Sequence, residues 1–420
     1  MSNDLKAAAM IAVLFPLFYT LSWPLAGVPL ENYVKIVVLI GGVLFLALKR
    51  PVKLDGLGFA MVAKAIKGFA VYRRSVFEVA SFVDATRVCF DIVTYQIGRS
   101  ISAHKVLLVT VLISCAISAY ALPYLVFGLG SFSAGYDLSI YGLTTSGYSG
   151  LYQNSHAAGI THAIAASILF YVALFHRFRL TRLILILFAM TLSLAAVYYS
   201  FTRTSWIIVL LMFAYITASR TLLRGGAKFG LLAVAVAAVV VVIAMSNPVV
   251  MDRLLDRNIY QQSLNEGRLG SGRLFFWASA LDAWQNFSPA QKIFGIGRGE
   301  TMEVMFGYTR LYIVGHNSYV DALLLNGAIG LVLEIVTIVL LANRMIRSTS
   351  NYTMYHLRIA LLIGYLSITM LQGGYFFYVN IIVFLLASTT QPYYPGKVRI
   401  IDWQSPARTV PGAQRHATDT

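Results

Sequence analysis

The chain has 420 residues, of which 58% are hydrophobic and only 12% charged, with a mean hydropathy of +0.72. This composition describes a polytopic membrane protein whose main solvent is lipid, and it excludes a protein dissolved wholly in water. The formal charge of +16 does not point to nucleic acid, because the basic residues sit in short clusters beside apolar runs instead of forming an aromatic-interleaved patch.

Apolar runs near the roughly 20 residues needed to cross a bilayer begin near Ala7, Tyr33, Val106, Ala157, Leu183, Trp206, Phe229, Asp321, Leu357 and Phe376. The expected fold class is all-α: a transmembrane helical bundle of about ten spans, with one long external loop bearing short helices. Lys49 and Arg50, the stretch from Lys53 to Lys105, Arg177, Arg179 and Arg182, then Arg220, Arg224 and Lys228, Arg344 and Arg347, and finally Lys397 and Arg399 mark alternate connections. By the positive-inside rule these are cytoplasmic, and so are both termini. Asp4 and Lys6 precede an apolar run without a small-residue cleavage site, which reads as a retained first span.

The chain divides accordingly into two spans (1–50), a cytoplasmic amphipathic segment (51–105), spans three to seven (106–246), an external loop (247–315), spans eight to ten (316–392) and a cytoplasmic tail (393–420). In the amphipathic segment Lys64, Lys67, Arg73, Arg74, Glu78, Asp84, Arg87 and Asp91 recur at helical intervals. That pattern suits helices lying on the inner leaflet, either as scaffold or as a docking surface. Cys89 and Cys115 fall on different sides of the membrane interface, so no disulfide is expected. The tail, with Pro392, Pro395, Pro406 and Pro411, lacks apolar periodicity and is expected to be loosely ordered.

Chemistry is expected in the external loop and its borders. Arg203, in YYSFTRTSW, occupies a very short external turn, where a cation either snorkels to the interface or points into a cavity. The loop itself holds Arg253, Arg257, Arg268, Arg273, Arg298 and Arg310, balanced in part by Asp252, Asp256, Glu266, Asp282, Glu300 and Glu303. Arg273, in GSGRLFFWASALDAW, falls at an expected helix N-terminus, a favourable place for phosphate, and a guanidinium binds phosphate oxygens bidentately. Gly295, Gly297 and Gly299 surround Arg298 in a GxGxG that reads as a tight turn, since no strand precedes it.

His316 stands at the external boundary of the eighth span, with Asn317 and Asp321 on one helical face after it. A neutral imidazole there can accept a proton from a hydroxyl, and nearby arginines would keep it neutral. His156 and His162 read as structural. The external side shows no HExxH, no DxD and no His/carboxylate cluster with ligand spacing, so neither a metal nor another cofactor is expected. Glu334, well inside the eighth span, is either paired near Asn343 and Arg344 or part of a transport path.

Taken in order, SFTRTSW, SGRLFFWASAL with IFGIGRG, and GHNSYVDALLLNGAIGLV resemble the O-antigen ligase and Wzy polymerase superfamily. The resemblance implies a metal-independent glycosyltransferase of GT-C-type architecture in the bacterial inner membrane, its active site facing the periplasm. Its donor would be an undecaprenyl-pyrophosphate-linked oligosaccharide and its acceptor a glycolipid, with a chain-length regulator as a further partner. Carried over residue by residue, Arg203 and Arg273 would grip the pyrophosphate and His316 would act as base or position the acceptor hydroxyl. Arg268 competes with Arg273 as the loop arginine, and Arg298, Asn317 and Asp321 complete the expected substrate-binding set. The expected reaction is inverting transfer that polymerises repeat units. The alternatives are ligation to lipid A-core and a lipid-linked saccharide carrier or flippase without catalysis.

Overall fold

A computed structural model describes residues 24–25, 28–29, 36–37, 39–44, 47, 54–69, 79–127, 147–152, 154–224, 273–347, 352–373 and 375–389. The runs near Ala7 and Phe229, part of the run near Tyr33, Arg268 and the C-terminal tail lie outside these residues. The described part is helical apart from one antiparallel pair of two-residue strands, β1 (Pro24–Leu25) and β2 (Val28–Pro29). The helices are α1 (Gly56–Phe69), α2 (Val79–Ser100), α3 (Ala103–Phe127), α4 (Ser155–Phe175), α5 (Leu180–Ser200) and α6 (Arg203–Arg224). After them come α7 (Arg273–Gln285), α8 (Pro289–Phe294), α9 (Arg298–Thr309), α10 (Ser318–Arg347), α11 (Tyr352–Leu371) and α12 (Phe377–Ser388).

Among the described residues six helices, α3, α4, α5, α6, α10 and α11, are long and apolar enough to cross a membrane, and α12 is a shorter apolar helix. All seven begin within a few residues of an apolar run visible in the sequence. Helix α4 is the centre of the bundle, packed against α3, α5, α6 and α11 and buried along nearly its whole length. Its small residues make this possible, because helices in lipid gain little from apolarity alone and associate through close packing and polar contacts. At Gly159 a Cβ would lie 2.4 Å from Ser205 Oγ. Ser193 Oγ joins three helices, lying 2.7 Å from Ser118 Oγ and 3.1 Å from His162 Nδ1, which gives His162 a structural place. Helix α5 by contrast turns Leu180, Ile184, Leu185 and Phe188 outward, as a helix at the lipid boundary should.

The amphipathic segment packs against helices of the bundle. Helices α1 and α2 form a hairpin packed lengthwise, α1 along α10 and α2 along α12. At one end Asp55 caps α1 by accepting from Gly58 N (3.0 Å), accepts from Tyr95 Oη (2.6 Å), and lies 3.7 Å from Arg99 and 3.9 Å from Arg344 near the end of α10. Midway Lys64 pairs with Glu334. At the far end Lys67 Nζ donates to the carbonyl of Phe294 at 2.8 Å. Along α2, Phe90 meets Phe377 edge to face with centroids 5.2 Å apart, and Asp91 accepts from Tyr375 Oη (2.9 Å) and Asn380 Nδ2 (3.2 Å).

Charges that look like a solvated face in the sequence therefore meet partners on helices more than two hundred residues away. Glu334 in particular pairs with Lys64, a partner outside the neighbourhood of Asn343 and Arg344, and this gives the carboxylate a structural reason to be there. Lys64→Leu should leave Glu334 uncompensated and lower stability by about 1–3 kcal/mol, less than for a fully buried pair because Lys64 stays a third exposed. Lys64→Leu/Glu334→Leu should regain most of that loss in thermal unfolding in detergent. A double variant as unstable as the single one would contradict the pairing.

Candidate active site

The turn between α5 and α6 is built by SFTRTSW. Phe201 takes a left-handed conformation (φ 52°) that reverses the chain, and Thr202 O accepts from Ser205 N and Trp206 N to start α6. Thr202 Oγ1 donates to Ser155 O at 3.2 Å, and Tyr148 N donates to Tyr199 O at 2.8 Å, so the turn is clamped by α4 and by the 147–152 segment. Thr202, Thr204 and Ser205 are buried while Arg203, the first residue of α6, keeps part of its surface accessible. Arg203 is thus carried on a rigid turn at a helix N-terminus.

Arg273 is likewise the first residue of α7. Its Nη2 donates to Gln372 Oε1 at 2.9 Å and lies 3.4 Å from Thr204 Oγ1. The second contact brings the two arginine motifs, 70 positions apart, to one place, since Thr204 directly follows Arg203. Both contacts are to neutral oxygens, so they orient the guanidinium without cancelling its charge. One turn along α7, the Phe276 ring stands 6.4 Å from that of His316.

His316 precedes α10 with φ 52°, and its ring is mostly enclosed though still partly accessible. Burial foremost, and the neighbouring Arg273 guanidinium second, push the imidazole down to about 4, against a hydrogen bond with the Gln372 backbone that favours the protonated ring. His316 is accordingly neutral at pH 7 and able to accept a proton.

Asn317 and Asp321 have their polar atoms engaged in shaping this loop. Asn317 Oδ1 caps α10, accepting from Tyr319 N (3.0 Å) and Val320 N (3.2 Å), while its Nδ2 donates to Met370 O (3.0 Å). Asp321 Oδ1 accepts from Gly315 N at 2.6 Å, closing the loop on the first turn of the helix. Their geometry is that of groups that hold His316 in place. Arg298, at the start of α9, lies within electrostatic reach of Asp321.

The glycine-rich IFGIGRG does more than turn the chain. Helix α10 is broken at Gly327 (φ 68°, ψ −167°), and the carbonyls of Leu324 and Leu325 accept from Ile296 N (3.1 Å) and Gly297 N (3.0 Å). A Cβ at Gly295 would come within 2.4 Å of Asn326 N, so only glycine permits this approach. The break in α10 thereby docks the α8–α9 connection beside the site, a role no local pattern announced.

The segment after α11 carries little signal in its local sequence and is central to the site. Gln372, buried, touches Arg273 with its side chain and His316 with its backbone. Gly373 is left-handed (φ 61°), and a Cβ there would stand 2.6 Å from Asn317 N, 2.9 Å from Asp321 Oδ2 and 3.0 Å from the His316 carbonyl carbon. The only local hint is the Gln-Gly-Gly interruption of an apolar run. Gly373→Ala should be strained by its φ and by backbone atoms that cannot yield, costing about 1–3 kcal/mol and displacing His316. A variant with unaltered thermal stability and turnover would refute this packing.

Among the described residues no group of three or more His, Cys, Asp or Glu is placed to hold a metal ion. Arg273, Thr204 next to Arg203, and His316 come together, Asn317 and Asp321 shape the loop that carries His316, Arg298 lies within electrostatic reach of Asp321, and Arg268 lies outside the described residues. No curated protein matches the chain. Residues 188–335 match the family model described as O-antigen ligase, a stretch that runs from within α5 through Arg203, Arg273, Arg298 and His316 to Glu334. With its apolar helices the chain is an integral membrane protein, and over residues 188–335 it is similar to the O-antigen ligase family.

Proposed function

We propose that the chain is a periplasmic-face glycosyltransferase of the bacterial inner membrane. It moves a glycan from undecaprenyl pyrophosphate to a sugar hydroxyl of an acceptor glycolipid, polymerising repeat units of a surface polysaccharide. The observation that carries this reading is the meeting of Arg273, Thr204 beside Arg203, and a neutral His316 at one end of the bundle. In the proposed step the acceptor oxygen attacks the anomeric carbon from the face opposite the lipid pyrophosphate. The bond from that carbon to the pyrophosphate oxygen breaks with inversion, and the hydroxyl proton passes to the His316 ring.

Arg203 and Arg273 would face the negative charge gathering on the departing pyrophosphate, each from the start of a helix whose N-terminal dipole adds to its field. Pyrophosphate is already a good leaving group, so what the protein supplies is orientation and charge stabilisation. Glu334, the best support for a carrier, is engaged by Lys64, and this favours an enzyme over a translocation path. Ligation to lipid A-core is the second reading, favoured by the description of the matched family as O-antigen ligase.

Purified protein in detergent, given a synthetic undecaprenyl-pyrophosphate oligosaccharide and excess chelator, tests both readings. A ladder of lengthened lipid-linked product is the expected result. Product on a lipid A-core acceptor alone would make the chain a ligase. Absence of transfer to either acceptor by folded protein with its cognate donor would overturn the enzymatic reading.

A further inference from the structure

The turn after α11 is tied on every side. Gln372 N and Gly373 N both donate to Ile368 O at 3.0 Å, and Asn317 reaches across to Met370 O, joining the end of α11 to the start of α10. Tyr375, two residues beyond Gly373, donates to Arg87 O (3.1 Å) and to Asp91 Oδ1, with the Arg87 guanidinium 5.5 Å from its ring centre. The turn is thereby anchored to the α1–α2 hairpin as well as to the spanning helices. At its centre Gln372 is 7% exposed. Its side-chain oxygen holds the Arg273 guanidinium at 2.9 Å, and its backbone bonds the ring of His316.

We propose that Gln372 is a positioning residue that sets the Arg273 guanidinium and the His316 ring in register, acting through both of them. The inference rests on the roles proposed for Arg273 and His316. Neither of those residues is near Gln372 in sequence, and Gln372 lies beyond the matched 188–335 stretch. An amide oxygen is suited to the task because it orients a guanidinium without neutralising it, whereas a carboxylate would form an ion pair and weaken the field offered to a leaving anion. The side chain also has little freedom, being enclosed and continuous with a turn whose glycine admits no other residue.

The test uses the full chain in detergent with the synthetic undecaprenyl-pyrophosphate oligosaccharide. Turnover, KM and pH profile would be measured for Gln372→Met and Gln372→Glu beside Arg273→Ala and His316→Ala, each corrected for folded fraction. Gln372→Met, which keeps length and loses the acceptor, should lower kcat about 10- to 100-fold with little change in KM. Gln372→Glu keeps the acceptor but places a negative charge by His316, so it should move the acid limb of the profile upward by about one pH unit. Gln372→Met in the Arg273→Ala background should cost little more than Arg273→Ala alone.

Wild-type kcat and profile in both Gln372 variants, or a loss confined to thermal stability with turnover per folded molecule unchanged, would overturn the inference while leaving the site intact. An additive loss in the double variant would also overturn it. Near-normal turnover in Arg273→Ala and His316→Ala would instead bring down the reading of the site, and the role of Gln372 with it. Should Gln372→Met fail to fold, the shift in Gln372→Glu decides alone.

Discussion

Arg273→Ala should lower kcat for glycan transfer about 100- to 1,000-fold, the range seen when one preorganised charge-stabilising donor is removed. The argument rests on what holds the side chain. Gln372 Oε1, in the turn after α11, and Thr204 Oγ1, in α6, fix the guanidinium before any substrate arrives, so its field costs no reorganisation when charge develops on the leaving pyrophosphate. Arg273→Lys should recover only a small part of the loss. An ammonium keeps the charge but cannot present two parallel donors to a phosphate while also meeting Gln372. Single-turnover assays with saturating donor would separate this effect from weakened binding. Near-normal turnover of Arg273→Ala would remove the arginine from the proposed mechanism.

His316→Gln should lower kcat about 100- to 10,000-fold, the usual contribution of a positioned general base, while donor binding stays close to normal. The pH dependence gives an independent measure. With the folded-state value lowered from 6.5 to about 4 by burial and by Arg273, the ring is neutral through the physiological range. The rate should therefore stay flat as pH falls through 6.5 and decline only as the ring protonates near pH 4. The same shift has a consequence for stability. In the unfolded chain the imidazole takes a proton near its ordinary value while the folded chain resists it, so the stabilisation present above that value should be lost as pH falls toward 4. Arg273→Ala removes one of the two influences that lower the ring, so its residual activity should show an acid limb displaced upward. A wild-type acid limb near pH 6.5 would mean that enclosure and Arg273 do not act on His316 as the geometry requires.

Much of the helical architecture was legible in the order of residues, because a bilayer imposes the requirement locally. A run of about 20 apolar residues satisfies its own backbone hydrogen bonds as a helix, and seven described helices begin where such runs begin. The arginines that open α6 and α7 and the histidine before α10 were legible as well, since each sits at a boundary where a polar group in an apolar context needs a reason. What decided their meeting is tertiary. Thr204 and Arg273 touch across 69 positions, and Gln372, 99 positions after Arg273, reaches both Arg273 and His316. No periodicity encodes those distances.

The α1–α2 hairpin shows the same division. Its spacing of charges defines an amphipathic helix but cannot tell water from a polar partner, because either satisfies a charged side chain. Only the packed structure assigns Glu334 to Lys64, Phe294 O to Lys67, and Tyr375 and Asn380 to Asp91. Local sequence thus determined which segments are helical and which polar residues stand at their ends. Tertiary structure decided which of those residues face one another, because long-range pairing depends on three-dimensional packing rather than on neighbours in the chain.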